Sequence, residues 1–492
     1  MRLIIMSLKF VFTIIFFSQL STGWSTHRAN KIYDGTEFPS YMDDSLQLLR
    51  HLCEDDMIFL NFSNAVISNI NRDFISSPLI TCLALADSHI EKIERDAFNK
   101  LPNLTQLFLS NNRLYDLFNF GGHNKLNVLV MNSAVIGYNY AEVKIYDEYP
   151  NLEILSLRKN NIRNLEILSL RKDDVHNLEF KFSFPAYPRT TVITQKILFP
   201  KLKALDLSEN KMEISNFVEL LPNSLYFLDL HDNLLYFLNL SNRTNKLFAL
   251  NLDNNRFNSI KNWDRDYSLS VVGLKDLQYL SVSTNKINII DSDAFVDNDK
   301  LLYINLSTNH IKNLHSKTFA NLQYLKTLDL SFNQLEDVPQ MSNEIEINTL
   351  YINYNNITEL ISHTFVQMPK LTKLLLAGNR INKINVNAFA HLSVLEKLDL
   401  SKNMLSSLPN GWAESLVSLK YLDLSDNKFT SLEFLSLTKA LPVIEIYLTM
   451  NPLEHLNVKY FENLPLNLTI NLINICKIDN KNCKKLVNYE EF

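Results

Sequence analysis

Leu395-Glu-Lys-Leu398-Asp-Leu400-Ser-Lys-Asn403-Met-Leu405 is the stretch that decides the fold. Its frame, Leu-x-x-Leu-x-Leu-x-x-Asn-x-Leu, recurs downstream from Leu419 and upstream from Leu371, Ile347, Leu325, Leu301 and Leu277. It returns again from Leu247, Leu225, Leu202, Leu152 and Leu104, and more loosely from Leu126, Ile80 and Met57. After Leu419 it continues at Val443 and fades into a last strand near Ile470–Leu472. About sixteen units are readable, spaced by roughly 22 to 24 residues, and such self-similarity marks a repeat array.

The spacing has a direct physical reading. In x-Leu-x-Leu-x the two leucines share one face of a short strand, because side chains alternate. One unit is too small to bury that face, so neighbouring coils must stack into a continuous core. Further apolar positions, such as Ile384, Phe389 and Leu392, bring the chain back around the outside. Phe98, Phe295, Phe319, Phe365 and Phe389 occupy equivalent returns and are expected to stack as an inner aromatic row. The ninth-position asparagines, from Asn112, Asn160, Asn210 and Asn233 through to Asn427 and Asn451, form a second column. A buried Asn must satisfy both its carbonyl and its amide, which the turn backbone can do. That ladder is structural.

This frame resembles the extracellular leucine-rich-repeat family, which includes Toll-receptor ectodomains and insect leucine-rich immune proteins. The resemblance covers roughly residues 57–472. It implies an α/β solenoid, a horseshoe with a parallel β-sheet on the concave face and irregular or short helical turns on the convex face. The chain departs from those relatives in three ways: no signalling domain, no C-terminal coiled coil, and thin cysteine caps.

The ends read as export features. Residues 1–23 fit a signal peptide, with Arg2 and Lys9 flanking an apolar run from Phe10 to Phe17, too short and too interrupted to span a membrane. Residues 24–56 are then an N-terminal flank, 57–465 the solenoid, irregular at 163–201, and 466–492 a C-terminal cap and polar tail. No later stretch reads as a transmembrane span. Seven Asn-x-Ser/Thr acceptors begin at Asn61, Asn103, Asn239, Asn242, Asn305, Asn356 and Asn467. The four cysteines lie near the two ends, and a disulfide spans only a few ångströms, so local pairs Cys53–Cys82 and Cys476–Cys483 are expected.

Two places break the regularity. Asn151–Lys159 is repeated unchanged at Asn164–Lys172, an offset too short for a coil. The 152–202 interval fits two coils, with the first copy as a strand and an irregular strand near Phe180–Phe182. Pro185, Pro188 and Pro200 suit an excursion, and residues 164–200 are expected to be the weakest part of the array. The unit from Leu247 carries an extra segment around Asn262–Gly273.

Chemistry is thin. No nucleophile elbow, metalloprotease helix or phosphate-cradling loop is present, so no catalytic, cofactor or metal residues are assigned. Asp206, Asp229, Asp329, Asp399 and Asp423 form an outward column at the fifth position, read as a solubility feature with a cation or basic partner as the lesser alternative. A formal net charge of -5 without a basic stripe argues against nucleic acid. The expectation is a secreted recognition protein binding a protein or surface glycan, in innate immunity by resemblance, with a matrix or adhesion protein as the alternative and a homodimer as one admissible assembly. Its ligand would meet Tyr351, Asn353, Lys373, Leu375, Lys397, Tyr421 and Tyr447, where tyrosines and an apolar Leu375 stand at outward positions. Asp399 and Asp423 belong to the same outward set, and glycans at Asn305 and Asn61 would project from the same face.

Overall fold

The computed structural model describes residues between 58 and 472, except 136–140, 146, 168–198, 214–217, 219–220, 241–245, 263–267, 439–440, 455–459 and 461–467. The proposed signal peptide and N-terminal flank, Cys53, Cys476, Cys483, Asn242, Asn467 and the strand expected at Phe180–Phe182 lie outside the described residues. Two compact units emerge. One runs to Leu301 and adds Lys317–Leu322; the other holds Leu302–Ser316 and continues from Gln323.

Each unit is a parallel β-solenoid. In the first, the strands Phe59–Asn61, Cys82–Ala84, Gln106–Phe108, Val128–Val130 and Ile154–Ser156 pair in register, each with the next. Ala204–Asp206, Phe227–Asp229, Ala249–Asn251 and Tyr279–Ser281 extend the same sheet. In the second, Tyr303–Asn305, Thr327–Asp329, Thr349–Tyr351 and Lys373–Leu375 are followed by Lys397–Asp399, Tyr421–Asp423, Glu445–Tyr447 and Thr469–Asn471. The central residue of each three-residue strand faces the core, as Leu398 and Leu422 do without measurable exposure. Full burial of one such leucine stabilises by about 1.5–3 kcal/mol, which explains why the frame is kept from coil to coil.

Leaving each strand, the chain turns through a left-handed residue just before the ladder asparagine: Phe332, Tyr354, Gly378, Lys402 and Asp426 all have φ between 53° and 70°. The asparagine then ties two coils together. Asn427 Nδ2 donates to the carbonyls of Leu424 and of Leu400 one coil earlier, and its Oδ1 accepts the Leu405 amide. Ser88 takes the ladder position in its coil, its hydroxyl donating to the carbonyls of Phe62 and Ala86. Ala134 leaves a gap that backbone closes, the Leu114 amide bonding to the Ala134 carbonyl at 2.8 Å.

Four expectations are corrected. The outer returns are turns, not short helices: among the described residues there is no α-helix, and the complete helical element is the 3-10 helix Leu432–Leu435. The six-residue turns of these returns, such as 362–367 and 386–391, are too short for an amide-to-carbonyl ladder to propagate. The 152–202 interval is one coil rather than two, because Ile154–Ser156 pairs directly with Ala204–Asp206. The start of the second nonapeptide copy instead joins the strand Ile162–Ile167, which pairs with Ala141–Ile145 on a separate two-stranded sheet. The extra segment after Leu247 is no free loop throughout: Ser268–Ser270 inserts between Leu238–Asn239 and Ser259–Ile260 in a four-stranded flank sheet. The return phenylalanines form stacked pairs, not one row. Phe295 stacks on Phe319 and Phe365 on Phe389, each at 6.0 Å, while Phe98 meets Phe120 edge-on.

Candidate functional site

Register brings the outward residues of the second unit into two rows. The fifth repeat positions align Asn305, Asp329, Tyr351, Leu375, Asp399, Asp423 and Tyr447. The third positions align Thr349, Lys373, Lys397, Tyr421 and Glu445. With neighbouring strands about 4.8 Å apart, the five strands from Thr349 to Tyr447 present a face about 20 Å across. The side chains expected to meet a ligand are thus held on one surface.

They are not equally available. Tyr421 is the open one, 42% exposed, whereas Leu375 is only 3% exposed between Tyr351 and Asp399. Tyr351, Lys373, Lys397 and Tyr447 are half-buried. The Tyr447 hydroxyl donates to Glu445 Oε2 at 2.6 Å, and that bond, with partial burial and the neighbouring carboxylate, pushes its pKa up to about 12. Asn353 has a backbone task, since its Oδ1 accepts the Ala377 amide of the next coil at 2.9 Å. It therefore has less freedom to reach a ligand than its outward position suggests.

The aspartate column has a different role from the solubility one expected. Asp329, Asp399 and Asp423 each accept the amide of the serine two residues on, at 2.8–2.9 Å, and Asp206 and Asp229 do the same for Ser208 and His231. These are Asx turns that fasten the end of each strand. Asn305 and Asn61 stand at the same position and make the same bond, to Ser307 and Ser63. Burial raises the carboxyl pKa of Asp206, Asp329 and Asp423, with like charge from Asp229 adding at Asp206 and from Asp399 at Asp423.

Glu209, His231 and Asp232 bring one ligand atom each to within 4.8 Å of one another. Their chemistry favours an ion-pair network over a bound cation. Burial alone would lower the His231 pKa, but the hydrogen bond to Asp229 at 2.7 Å and the charges of Asp229, Asp232 and Asp206 outweigh it and hold it up at about 9. The ring is an imidazolium at neutral pH, and the Arg158 guanidinium already engages Glu209. A cation would have to displace both positive charges.

One feature escaped the outward-position reading. Phe332 and Tyr354, the left-handed residues of adjacent coils, are 53% and 39% exposed and stack at 4.6 Å with an interplanar angle of 11°. The Lys402 ammonium donates to the Tyr354 hydroxyl at 2.8 Å, and the Tyr354 ring lies close over Gly378, where a Cβ would meet it at 2.4 Å. Polar residues or glycine hold this turn position in most coils, so two consecutive aromatics were the available signal. Bulky residues with positive φ carry a backbone cost that ordinary turn residues avoid.

Residues 78–134, 268–311 and 369–429 match the leucine rich repeat family model. No curated protein matches the chain. A leucine-rich-repeat protein of Leptospira interrogans is similar in structure, with a TM-score of 0.52 at 20% identity over 87% of this chain and 98% of its own. An internalin (inlF) from Listeria monocytogenes gives 0.44 at 20% identity, covering 67% of this chain and 85% of that one. TLR13, solved as a complex with ssRNA13, gives 0.39 at 20% identity, covering 83% and 67%. The Leptospira likeness shows the fold, in agreement with the in-register coils: the chain carries leucine-rich repeats. Among the described residues no helix is long and apolar enough to cross a membrane.

Proposed function

We propose that this leucine-rich-repeat chain is a secreted recognition protein that docks a protein or microbial-surface ligand on the sheet face of coils 347–449, with innate immunity as its setting. The observation that carries the reading is the aromatic and apolar departure within an otherwise polar outward set. Tyr351 and Leu375 interrupt the Asx-turn column, Tyr421 and Tyr447 follow on the same face, and the Phe332–Tyr354 pair flanks it. Tyrosine supplies contact area with few rotatable bonds and a polar tip, which suits a wet recognition surface. Lys373 and Lys397 share the face with Asp399, Asp423 and Glu445, a mixed-charge setting that suits a polar, hydroxyl-rich partner. An Asn305 glycan would border it, two strands from Tyr351.

The test is capture of partners from the native extracellular fluid by the full chain, compared with a Tyr351→Ala, Tyr421→Ala variant. Interface centres of this kind cost about 2 kcal/mol or more on truncation, so affinity should fall by at least about thirtyfold at unchanged secretion. Unchanged affinity in a folded variant refutes the patch. Capture of matrix polymers or of the chain itself, in place of a soluble or microbial ligand, would favour a structural adhesion protein instead.

A further inference from the structure

Two histidines on the return side of the second unit face each other across adjacent coils. His363 lies near the start of the turn 362–367, and His391 ends the turn 386–391. They are 28 positions apart, and the stacking of coils brings His363 Nδ1 to 3.0 Å from His391 Nε2. Both side chains are exposed. The backbone beneath them is fixed. His363 has a φ of 59°, in the left-handed region, which the equivalent Asn387 does not enter. Its amide donates to the Asn387 carbonyl at 3.1 Å, and just inside, the buried rings of Phe365 and Phe389 stack at 6.0 Å.

The pair differs in kind from His231, which is an imidazolium bonded to a carboxylate. Two imidazoliums carry only donors, so an N···N contact of this length requires a lone pair on one of the rings. A neutral imidazole nitrogen is the commonest protein ligand for a transition ion. The separation suits one. Two nitrogens bound to one ion at about 2.0–2.1 Å stand about 2.9 Å apart at a right angle and about 3.3 Å apart at a tetrahedral angle. The observed 3.0 Å falls between these limits. Ring centroids on a tetrahedral ion are about 5.2 Å apart, against 5.3 Å here. The coils therefore hold the rings at the required distance, and the exposed side chains need only turn in place.

We infer that His363 and His391 form a two-histidine site for a divalent transition ion, Zn2+ or Cu2+, which clips their two coils together. The ligand atoms are His363 Nδ1 and His391 Nε2. Among the described residues no third His, Cys, Asp or Glu completes a group with them, so the remaining coordination positions fall to water. The site lies on the returns, and it stands or falls apart from any ligand on the sheet face.

Zn2+ and Cu2+ alone, titrated into the metal-stripped full-length chain, test it. Calorimetry should show a saturable site, and spin resonance of the Cu2+ form should show coupling to two nitrogens. His363→Asn keeps a residue suited to left-handed backbone. It and His391→Gln should each weaken the site at least about tenfold, since even outer-shell partners are worth about 10–100-fold. His310→Gln, at an exposed position of the same unit, should leave the site unchanged. Zn2+ should also raise the melting temperature of the parent more than that of either variant, because an ion held only by the folded form stabilises it. Absence of saturable binding, or a site that survives either substitution, overturns the assignment. Should a variant fail to fold, nitrogen-15 spectra of the parent's histidine rings decide: Zn2+ must shift His363 Nδ1 and His391 Nε2, and unmoved signals overturn the site.

Discussion

Replacing Asn403 by Ala tests how the ladder holds the coils together. Its amide nitrogen donates to the carbonyls of Leu376, Leu400 and Ser401, each at 3.0 Å, and its Oδ1 accepts the Ile381 amide at 3.0 Å. The carbonyls are shared. Leu376 also accepts from Asn379, Leu400 from Asn427, and Ser401 from the Gly378 amide. All three therefore keep a donor when Asn403 is lost, and the group left without its acceptor is the Ile381 N–H. An unsatisfied buried N–H costs about 1–3 kcal/mol, and the lost bonds add about 1 kcal/mol net. The expected loss is about 2–4 kcal/mol, well below what three stranded carbonyls would add. Urea unfolding against an Asn382→Ala control at an exposed position, with amide exchange followed at Ile381, measures it; the control should change by less than about 0.5 kcal/mol. Exchange at Ile381 should accelerate with its neighbours in the same coil before distant coils respond, because repeats couple mainly to their neighbours. A loss below about 1 kcal/mol would refute the reasoning. It would mean that backbone closes the gap, as the Ala134 carbonyl does for Leu114.

The other expectations can be checked more briefly. Phe389→Ala removes a fully buried ring that stacks on Phe365 and meets Trp412 edge-on at 5.9 Å, so thermal or urea unfolding should show a loss of about 3–5 kcal/mol. Gly378→Ala places a Cβ against the Tyr354 ring at a φ of +70°; it should cost about 1–3 kcal/mol and break the Phe332–Tyr354 stack, visible as a changed near-ultraviolet dichroism. His231 has a folded pKa of about 9 against 6.5 for an ordinary histidine, so its contribution is fully present below pH 6.5 and is lost as pH rises through 9. The difference in stability between the parent and His231→Gln should therefore shrink across that window by about 3 kcal/mol at most, and a constant difference would show that Asp229 does not hold the proton.

The strands were legible because three constraints coincide in the frame: leucines that must face inward, an asparagine that must satisfy a buried turn, and a fixed spacing that puts both in register. Where the frame is intact, from Leu277 onward, the expected strands are those found. The 152–202 interval failed for a definite reason. Its length suits two coils, and length says nothing about whether a middle strand enters the sheet; only the direct pairing of Leu155 with Leu205 settles that. The resemblance implied irregular or short helical turns for the returns and only the irregular kind is found among the described residues, because apolar spacing constrains which side chains turn inward, not which hydrogen bonds the backbone makes while it turns. Phe332 and Tyr354 went unnoticed because their importance lies in the left-handed backbone they share, which periodicity does not record.

The same distinction changes where recognition should be sought. An outward position is not a free position in this fold. Fifth-position Asp and Asn side chains are engaged by the strand-ending amide two residues on, and Asn353 by the following coil. A side chain that fastens its own turn is held in one orientation with one oxygen already engaged, so it offers a ligand fewer acceptor sites and less reach. On the proposed reading, specificity would belong to the residues that depart from the fastening pattern. Tyr351, Leu375 and Tyr447 replace the Asx acceptor, Tyr421 stands open beside them, and Phe332 and Tyr354 take the turn position that small or polar residues fill elsewhere. These departures fall within neighbouring coils of one unit, with the acceptors Asp399 and Asp423 standing between Leu375 and Tyr447, and that clustering is the reason the proposed reading places a partner there.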